Sequence, residues 1–391
     1  MKRADNRLLI IAALFPDEKA GDGPWSERFN GLYGRLFRQS AGYGTTGWYA
    51  LDVNRHYEHT PSGEVGRRKS LAAFFGLDLI WGQFRHRHTT LLIAYPLFKS
   101  RQSAYSIFFL LVLAVLRMSR RVKICLDFVD PPLMITKLYV RLLTLQKAII
   151  FFRRPQEKAY LRLAHSIVVN SVEMGEHLRA DYNLSSQEIM AVAMGTNVTD
   201  FVPDPMVGRR REFTVVYGGR LRGDRGALEL INCLTQVNLT HPVRLLCCGP
   251  VESSLRLPDY PWLEIYPDLG YSDYVSLLVK RGDVGIIPYP ANEWWEKVSI
   301  SKLATYAAAG IPVLSTDLHH TTRFLARWNC GLTAASWKEM AELIVRLYED
   351  RDLCMELGRN ARNAAESELA WDILARRLAD LLSQRFGRSL A

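Results

Sequence analysis

Short apolar runs alternate with longer amphipathic stretches along almost the whole chain, and this alternation halts once and then starts again. The first series has its runs at residues 8–15, 47–53, 91–95, 122–128, 167–170 and 189–194. Runs that are apolar throughout, instead of at every second position, suit strands covered on both faces, and helical stretches between them suit parallel pairing. A polar joint follows, Phe201-Val202-Pro203-Asp204-Pro205 and then Arg209-Arg210-Arg211-Glu212. Beyond it, runs recur at 213–217, 243–248, 263–266, 284–288 and 312–315. Proline in a polar joint between two such series marks a domain boundary. The pattern predicts an α/β chain of two Rossmann-like domains, 1–204 and 205–370, and implies a cleft between them. From residue 335 onward the sequence reads as helical, and Trp371, Ile373, Leu374, Leu378, Leu381 and Leu382 place a last helix over 371–391.

The 391 residues leave room for two or three cores, and a hydrophobic share of 48% against 23% charged excludes an intrinsically disordered chain. Six cysteines, with no CxxC pair and several inside apolar runs, fit a reducing compartment better than a disulfide framework. The start, Met1-Lys2-Arg3 before the run at 8–15, has the outline of a signal peptide. Asp5 interrupts that outline, however, and Pro16-Asp17-Glu18-Lys19 stands where a small-residue cleavage site would be. It reads as the first strand, and the protein as cytoplasmic. The net charge of +10 is lopsided: up to Asp204 there are 27 Lys/Arg against 18 Asp/Glu, and beyond it 23 against 22. A basic front half calls for an anionic partner. With no zinc spacing, helix-turn-helix outline or RRM-type motif, that partner is expected to be an anionic membrane surface and not nucleic acid.

Two segments bear on the membrane. Residues 107–116 are wholly apolar and flanked by Lys99, Arg101, Arg117, Arg120, Arg121 and Lys123. They fall far short of the roughly 20 residues that span a bilayer, and read as a buried helix ahead of the strand at 122–128. Residues 133–158 mix Leu138, Tyr139, Leu142, Leu143, Ile149, Ile150, Phe151 and Phe152 with Lys137, Arg141, Lys147, Arg153 and Arg154. Such a stretch fits either a helix lying in an anionic interface or a core helix with a solvated face.

Chemistry concentrates in the second series. Val215-Val216-Tyr217-Gly218-Gly219-Arg220-Leu221-Arg222-Gly223-Asp224-Arg225-Gly226 delivers a strand to a glycine-rich turn followed by guanidinium groups. Missing side chains let backbone N–H groups approach a ligand, and the planar fork of arginine suits phosphate oxygens; an exposed charged turn is the alternative. Later come Val284-Gly285-Ile286-Ile287-Pro288-Tyr289-Pro290, the loop Asn292-Glu293-Trp294-Trp295-Glu296-Lys297, and Ser299-Ile300-Ser301-Lys302-Leu303-Ala304-Thr305-Tyr306-Ala307-Ala308-Ala309-Gly310-Ile311-Pro312-Val313. Ser299 or Ser301 is expected to cap a helix whose first-turn N–H groups suit a diphosphate, with Gly310 ending it. In the first series, Lys123-Ile124-Cys125-Leu126-Asp127-Phe128-Val129-Asp130-Pro131-Pro132 ends a strand with carboxylates, where open parallel sheets bind ligands. Asp130 reads as a base or as a loop-capping residue. His86, His88, His319 and His320 form no helical metal pair, and no metal is expected.

These residues resemble GT-B glycosyltransferases of the broad family-4 type, whose strand leads to Gly-Arg-Leu with Lys-Gly soon after. A later Lys-x-x-Glu-Tyr-x-Ala-x-Gly-x-Pro-Val follows in that family. Gly219, Arg220, Leu221, Arg225 and Gly226 match the first motif with Arg for Lys, and Lys302, Tyr306, Ala308, Gly310, Pro312 and Val313 match the second. Gly249, Gly270, Ser171, Gly195 and Trp371 extend the likeness over most of the chain. It implies two Rossmann-like domains facing across a cleft, a C-terminal helix crossing back, and a nucleotide diphosphate sugar as donor. Implied donor-binding residues are Gly219, Arg220, Arg225, Tyr289, Ser299, Ser301, Lys302 and Thr305, with Gly23 in the loop 16–33. Thr305 and Lys297 depart from the pattern, standing where many members place glutamates. The segment around Lys302 is also similar to bacterial xanthan glucuronosyltransferase, an inverting enzyme; that likeness implies Asp130 as general base, with Asp127 in reserve. The acceptor is expected to be a lipid-linked saccharide at the inner face of the cell membrane. A sugar-nucleotide 2-epimerase and an inactive membrane-associated module of the same fold are the alternatives.

Overall fold

The structure, a computed structural model, describes residues 6–12, 28–39, 45–50, 55–60, 63–68, 79–80, 88–95, 103–140, 142–185, 187–205, 207 and 209–387. The chain divides into two compact units, residues 1–193 with 374–391, and residues 194–373. The division falls after Ala193, ahead of the proline joint at 201–205. Residues past Ala193 already belong to the second unit because arginines of that unit hold them. Arg362 donates to the carbonyls of Val198 and Phe201 at 3.3 and 2.8 Å, and Arg210 pairs with Asp204 and Asp283 at 2.9 and 3.2 Å.

In the first unit an eight-stranded sheet has the order β4-β3-β2-β1-β5-β6-β7-β8. Its strands are β1 (Arg7–Ala12), β2 (Thr45–Ala50), β3 (Arg55–Thr60), β4 (Gly63–Arg68), β5 (Thr89–Ala94), β6 (Val122–Asp127), β7 (Ser166–Val169) and β8 (Glu188–Ala191). β1 and β5 are buried along their whole length, and their apolar runs at 8–12 and 91–94 suit strands paired in parallel on both sides. β3 and β4 pair antiparallel as an edge hairpin. They show no apolar run, since Arg55, Glu58 and Arg67 are exposed there. The helices described in this unit are α1 (Gly34–Gln39), α2 (Ser103–Arg117), α3 (Pro132–Tyr139), α4 (Leu143–Leu163) and α5 (Val172–Tyr182).

The apolar segment 107–116 forms most of α2, and it is not the fully buried helix its composition suggests. Phe109, Val112, Leu113 and Leu116 face the core, while Ile107 and Leu111 are each 63% exposed and Phe108, Val115 and Met118 are exposed beside them. α2 is fastened to α4 through Ser106, which meets the Tyr160 hydroxyl at 2.9 Å and accepts from Gln156 at 2.6 Å. In α4 the first buried residue is Glu157; nothing from Leu143 to Gln156 is buried. Leu142, Leu143, Leu145, Phe151 and Phe152 are exposed, the two phenylalanines by 74% and 76%. Within 133–158, then, Leu133, Met134 and Glu157 are buried, and the residues of α4 ahead of Glu157 are not. Among the described residues no helix is long and apolar enough to cross a membrane.

The second unit has a six-stranded, all-parallel sheet in the order β11-β10-β9-β12-β13-β14. Its strands are β9 (Phe213–Gly218), β10 (Val243–Cys248), β11 (Leu263–Tyr266), β12 (Val284–Ile287), β13 (Val313–Thr316) and β14 (Gly331–Ala334). Between and after them run α6 (Ala227–Val237), α7 (Tyr271–Arg281), α8 (Ser301–Ala308), α9 (His319–Trp328), α10 (Trp337–Glu349) and α11 (Arg351–Ala364), then α12 (Trp371–Gly387), whose residues from Leu374 on group with the first unit. Counting from β9, the strand order is that of a doubly wound dinucleotide-binding sheet, which reverses direction between its first and fourth strands. Those strands are β9 and β12. Ligands of such sheets lie beyond the carboxyl ends of the strands at that reversal, where both glycine-bearing motifs leave the sheet.

Candidate functional site

The turn after β9 and the loop after β12 meet through their backbones. Gly226 has φ +75°, and a Cβ there would lie 1.9 Å from the Pro288 carbonyl oxygen, so no other residue fits without moving that loop. Gly219 has φ +111°, and its missing side chain leaves the space in which the Lys302 ammonium sits, 2.9 Å from where a Cβ would be. The Gly218 N–H donates to the Tyr306 hydroxyl at 2.8 Å, which ties β9 to α8. Two motifs far apart in sequence are thus joined by atoms in contact, Gly218 and Tyr306 being 88 positions apart along the chain and 2.8 Å apart in space.

Around this junction the side chains are aromatic and cationic. Lys302 donates to the Tyr289 hydroxyl at 2.5 Å and lies 5.5 Å from the Tyr217 ring centre, and Arg225 stands 5.9 Å from the Tyr289 ring and 5.6 Å from that of Trp295. Burial alone would push the Tyr289 phenol up, but the charges of Lys302 and Arg225 pull it below its ordinary value. Burial, and then Tyr289 itself, push its neighbour Tyr217 up. Among the described residues no carboxylate pairs with Lys302. The cluster is thus an anion-seeking one, with donors from two cations and a side-chain-free turn.

Of the residues implied by the sequence, the structure gathers Gly219, Arg225, Tyr289 and Lys302. Arg220 is exposed, and its carbonyl accepts from the Tyr217 hydroxyl at 3.0 Å. The capping expectation does not hold. The N-cap of α8 is Ile300, with no side-chain cap bond, because the Ser299 hydroxyl instead accepts from the Met194 N–H at 3.1 Å. Ser301 lends its carbonyl to the hydroxyl of Thr305, 3.2 Å away, and Thr305 is buried. The first-turn N–H groups of α8 are therefore left without a side-chain cap. Gly23 lies outside the described residues. Tyr217 and Trp295 belong to the cluster but were passed over in sequence, where an aromatic in an apolar strand or a loop carries no mark of its use.

In the first unit, Asp127 is the last residue of β6 and is 1% exposed, as is Arg28. Arg28 grips both carboxylate oxygens at 3.0 and 3.3 Å and donates to the carbonyls of Val192 and Ala193 at 3.1 and 3.4 Å. Burial raises the Asp127 carboxyl, and Arg28 pulls against it. So engaged, Asp127 is half of a buried ion pair that links the end of β6, through Arg28, to the carbonyls of Val192 and Ala193. Asp130 is half-buried on the bend beyond β6, and Pro131 is the N-cap of α3, which receives no side-chain cap bond. Among the described residues no three His, Cys, Asp or Glu side chains come together.

The paired sheets, one of them with the doubly wound order, make this a GT-B fold. No protein-family model matches the sequence. The chain is similar to sucrose-phosphate synthase from Thermosynechococcus elongatus, at a TM-score of 0.62 and 18% identity over 98% of this chain and 100% of that one. In sequence it is 26% identical over 260 residues to a D-inositol 3-phosphate glycosyltransferase of Corynebacterium kroppenstedtii, covering 59% of this chain and 55% of that protein. It is also 26% identical over 187 residues to the capsular polysaccharide biosynthesis glycosyltransferase CapM of Staphylococcus aureus, covering 45% and 48%. The chain thus spans about half the length of the curated relatives it matches, and both are glycosyltransferases.

Proposed function

We propose that the protein is a glycosyltransferase that moves a hexosyl or glucuronosyl unit from a nucleotide diphosphate sugar to a lipid-linked saccharide in the synthesis of a surface polysaccharide or related glycan. The observation that carries this reading is the convergence of Lys302 and Arg225 on the glycine turn after β9. Both curated relatives are named for glycosyl transfer, and one for capsular polysaccharide biosynthesis. In this reading the bond between the sugar's anomeric carbon and the diphosphate breaks, and its electron pair leaves with the diphosphate. Arg225, Lys302 and the uncapped N–H groups of α8 stabilise that charge, which leaves no step that requires a metal. Asp130 takes the proton of the acceptor hydroxyl as that oxygen bonds the anomeric carbon from the opposite side, which inverts the centre.

Replacing Lys302 by Met should weaken nucleoside diphosphate binding about 10- to 100-fold, the loss of a charge-assisted hydrogen bond, with little change in fold. Calorimetry with UDP, GDP, ADP and TDP checks this. Equal affinity in wild type and variant would remove Lys302 from the donor site, and no binding of any of the four by wild type would end the donor reading.

The reading also puts the first unit on the anionic inner face of the cell membrane. Between residues 103 and 156 there are nine Lys/Arg against Asp127 and Asp130 alone, beside the exposed apolar faces of α2 and α4. Each cation near an anionic leaflet adds about 1 kcal/mol, and the exposed phenylalanines add apolar burial. Flotation should recover the protein with anionic vesicles at low salt, less at high salt, and less again for Phe151→Ser/Phe152→Ser. Equal recovery with neutral and anionic vesicles would refute the docking.

A further inference from the structure

We propose that Trp295 is a further donor-binding residue whose indole N–H pairs with an oxygen of the diphosphate held by Arg225 and Lys302; this rests on the function proposed above. The turn that carries it is built to hold it still. The Asn292 side-chain oxygen accepts from the N–H groups of Trp294 and Trp295 at 3.0 and 2.9 Å, and the Glu296 carbonyl accepts from the His320 N–H at 3.0 Å. The Trp295 ring packs against Tyr289 with centres 4.3 Å apart and lies 5.6 Å from the Arg225 guanidinium. It is 9% exposed, and its Nε1 is out of contact with solvent and has no acceptor among the described residues.

A buried indole N–H ordinarily finds a partner, because leaving it unpaired costs free energy that an apolar ring in the same place would not. Bulk water does not reach this one, and the groups set against its ring are the Arg225 guanidinium and the rings of Tyr289 and Trp294. The acceptor that would satisfy it arrives with a ligand. Arg225 beside it, and Lys302 bonded to the neighbouring Tyr289 hydroxyl, select an anion with several oxygens, and a diphosphate has oxygens enough to serve all three donors.

The test uses the full chain, labelled with 15N, and Trp295→Phe, which keeps the aromatic packing and removes the N–H. Nine tryptophans give indole resonances, and the one missing in the variant belongs to Trp295. Adding UDP, or whichever nucleoside diphosphate binds tightest, and separately inorganic pyrophosphate, should move that resonance downfield and slow its exchange with solvent. Trp295→Phe should weaken both ligands about 10-fold or more, while the unliganded protein's unfolding temperature holds or rises because the unpaired donor is gone. An unmoved resonance with unchanged affinity overturns the proposal. So does a loss confined to the nucleotide sugar with UDP and pyrophosphate unaffected, which would move Trp295 to the sugar. If neither UDP, GDP, ADP, TDP nor pyrophosphate binds wild type, the donor reading has failed and this one falls with it, a result unlike the other two.

Discussion

Asp130→Asn is expected to lower turnover about 100- to 10,000-fold while leaving donor affinity and the unfolding transition close to wild type. The amide keeps the shape of the carboxyl group but has no basicity, so only the proton transfer is lost. The helix that follows, α3, has Pro131 as its N-cap and no side-chain cap bond, so Asp130 does not cap that helix. A residue with a purely structural role would show the reverse pattern, a loss of about 1 kcal/mol in stability and near-normal turnover per folded molecule. Asp127→Asn supplies the contrast. It should lose stability, because Arg28 is left without its carboxylate, and keep most of its turnover. Both quantities are measured on both purified variants, with a donor found by the calorimetric panel; wild-type turnover in Asp130→Asn would end the inverting-base mechanism.

Arg28→Met is expected to destabilise the first unit by about 3–5 kcal/mol, the cost of leaving a buried carboxylate without its counter-charge. Because the desolvation of an ion pair consumes much of its attraction, Arg28→Met/Asp127→Leu should recover a good part of that loss. Recovery should stay incomplete, since the carbonyls of Val192 and Ala193 lose their donor as well. Denaturant titrations of the wild type, both single variants and the double variant close the cycle. Strictly additive losses would mean that the two side chains do not act as a pair.

The interior strands were legible because a strand paired in parallel on both sides and covered on both faces carries a run of consecutive apolar residues, as at 8–12 in β1, 91–94 in β5 and 215–217 in β9. The hairpin of β3 and β4 was missed because an edge strand faces water and carries charge, and β14 because Gly331–Ala334 is too short and too small to stand out. The residue types of the candidate cluster were legible too, since glycine turns and cations follow β9 and β12 whatever surrounds them. Their partners were not. Ser299 was expected to cap α8 and instead binds the Met194 N–H, because a hydroxyl bonds whichever group the fold brings near it.

By itself the sequence determined two successive α/β units, the order of elements that makes the second a doubly wound sheet, and the basic, apolar character of residues 103–156. Each of these is written in neighbouring residues, through periodicity, glycine and charge. Tertiary structure alone decided that Arg28 reaches Asp127 across 99 positions, that Lys302 fills the space a glycine leaves beside β9, and that the face of α2 opposite the core stays bare. Such choices turn on which surfaces meet when the sheets close, and the energy of a contact between distant residues leaves no trace in the spacing of either one.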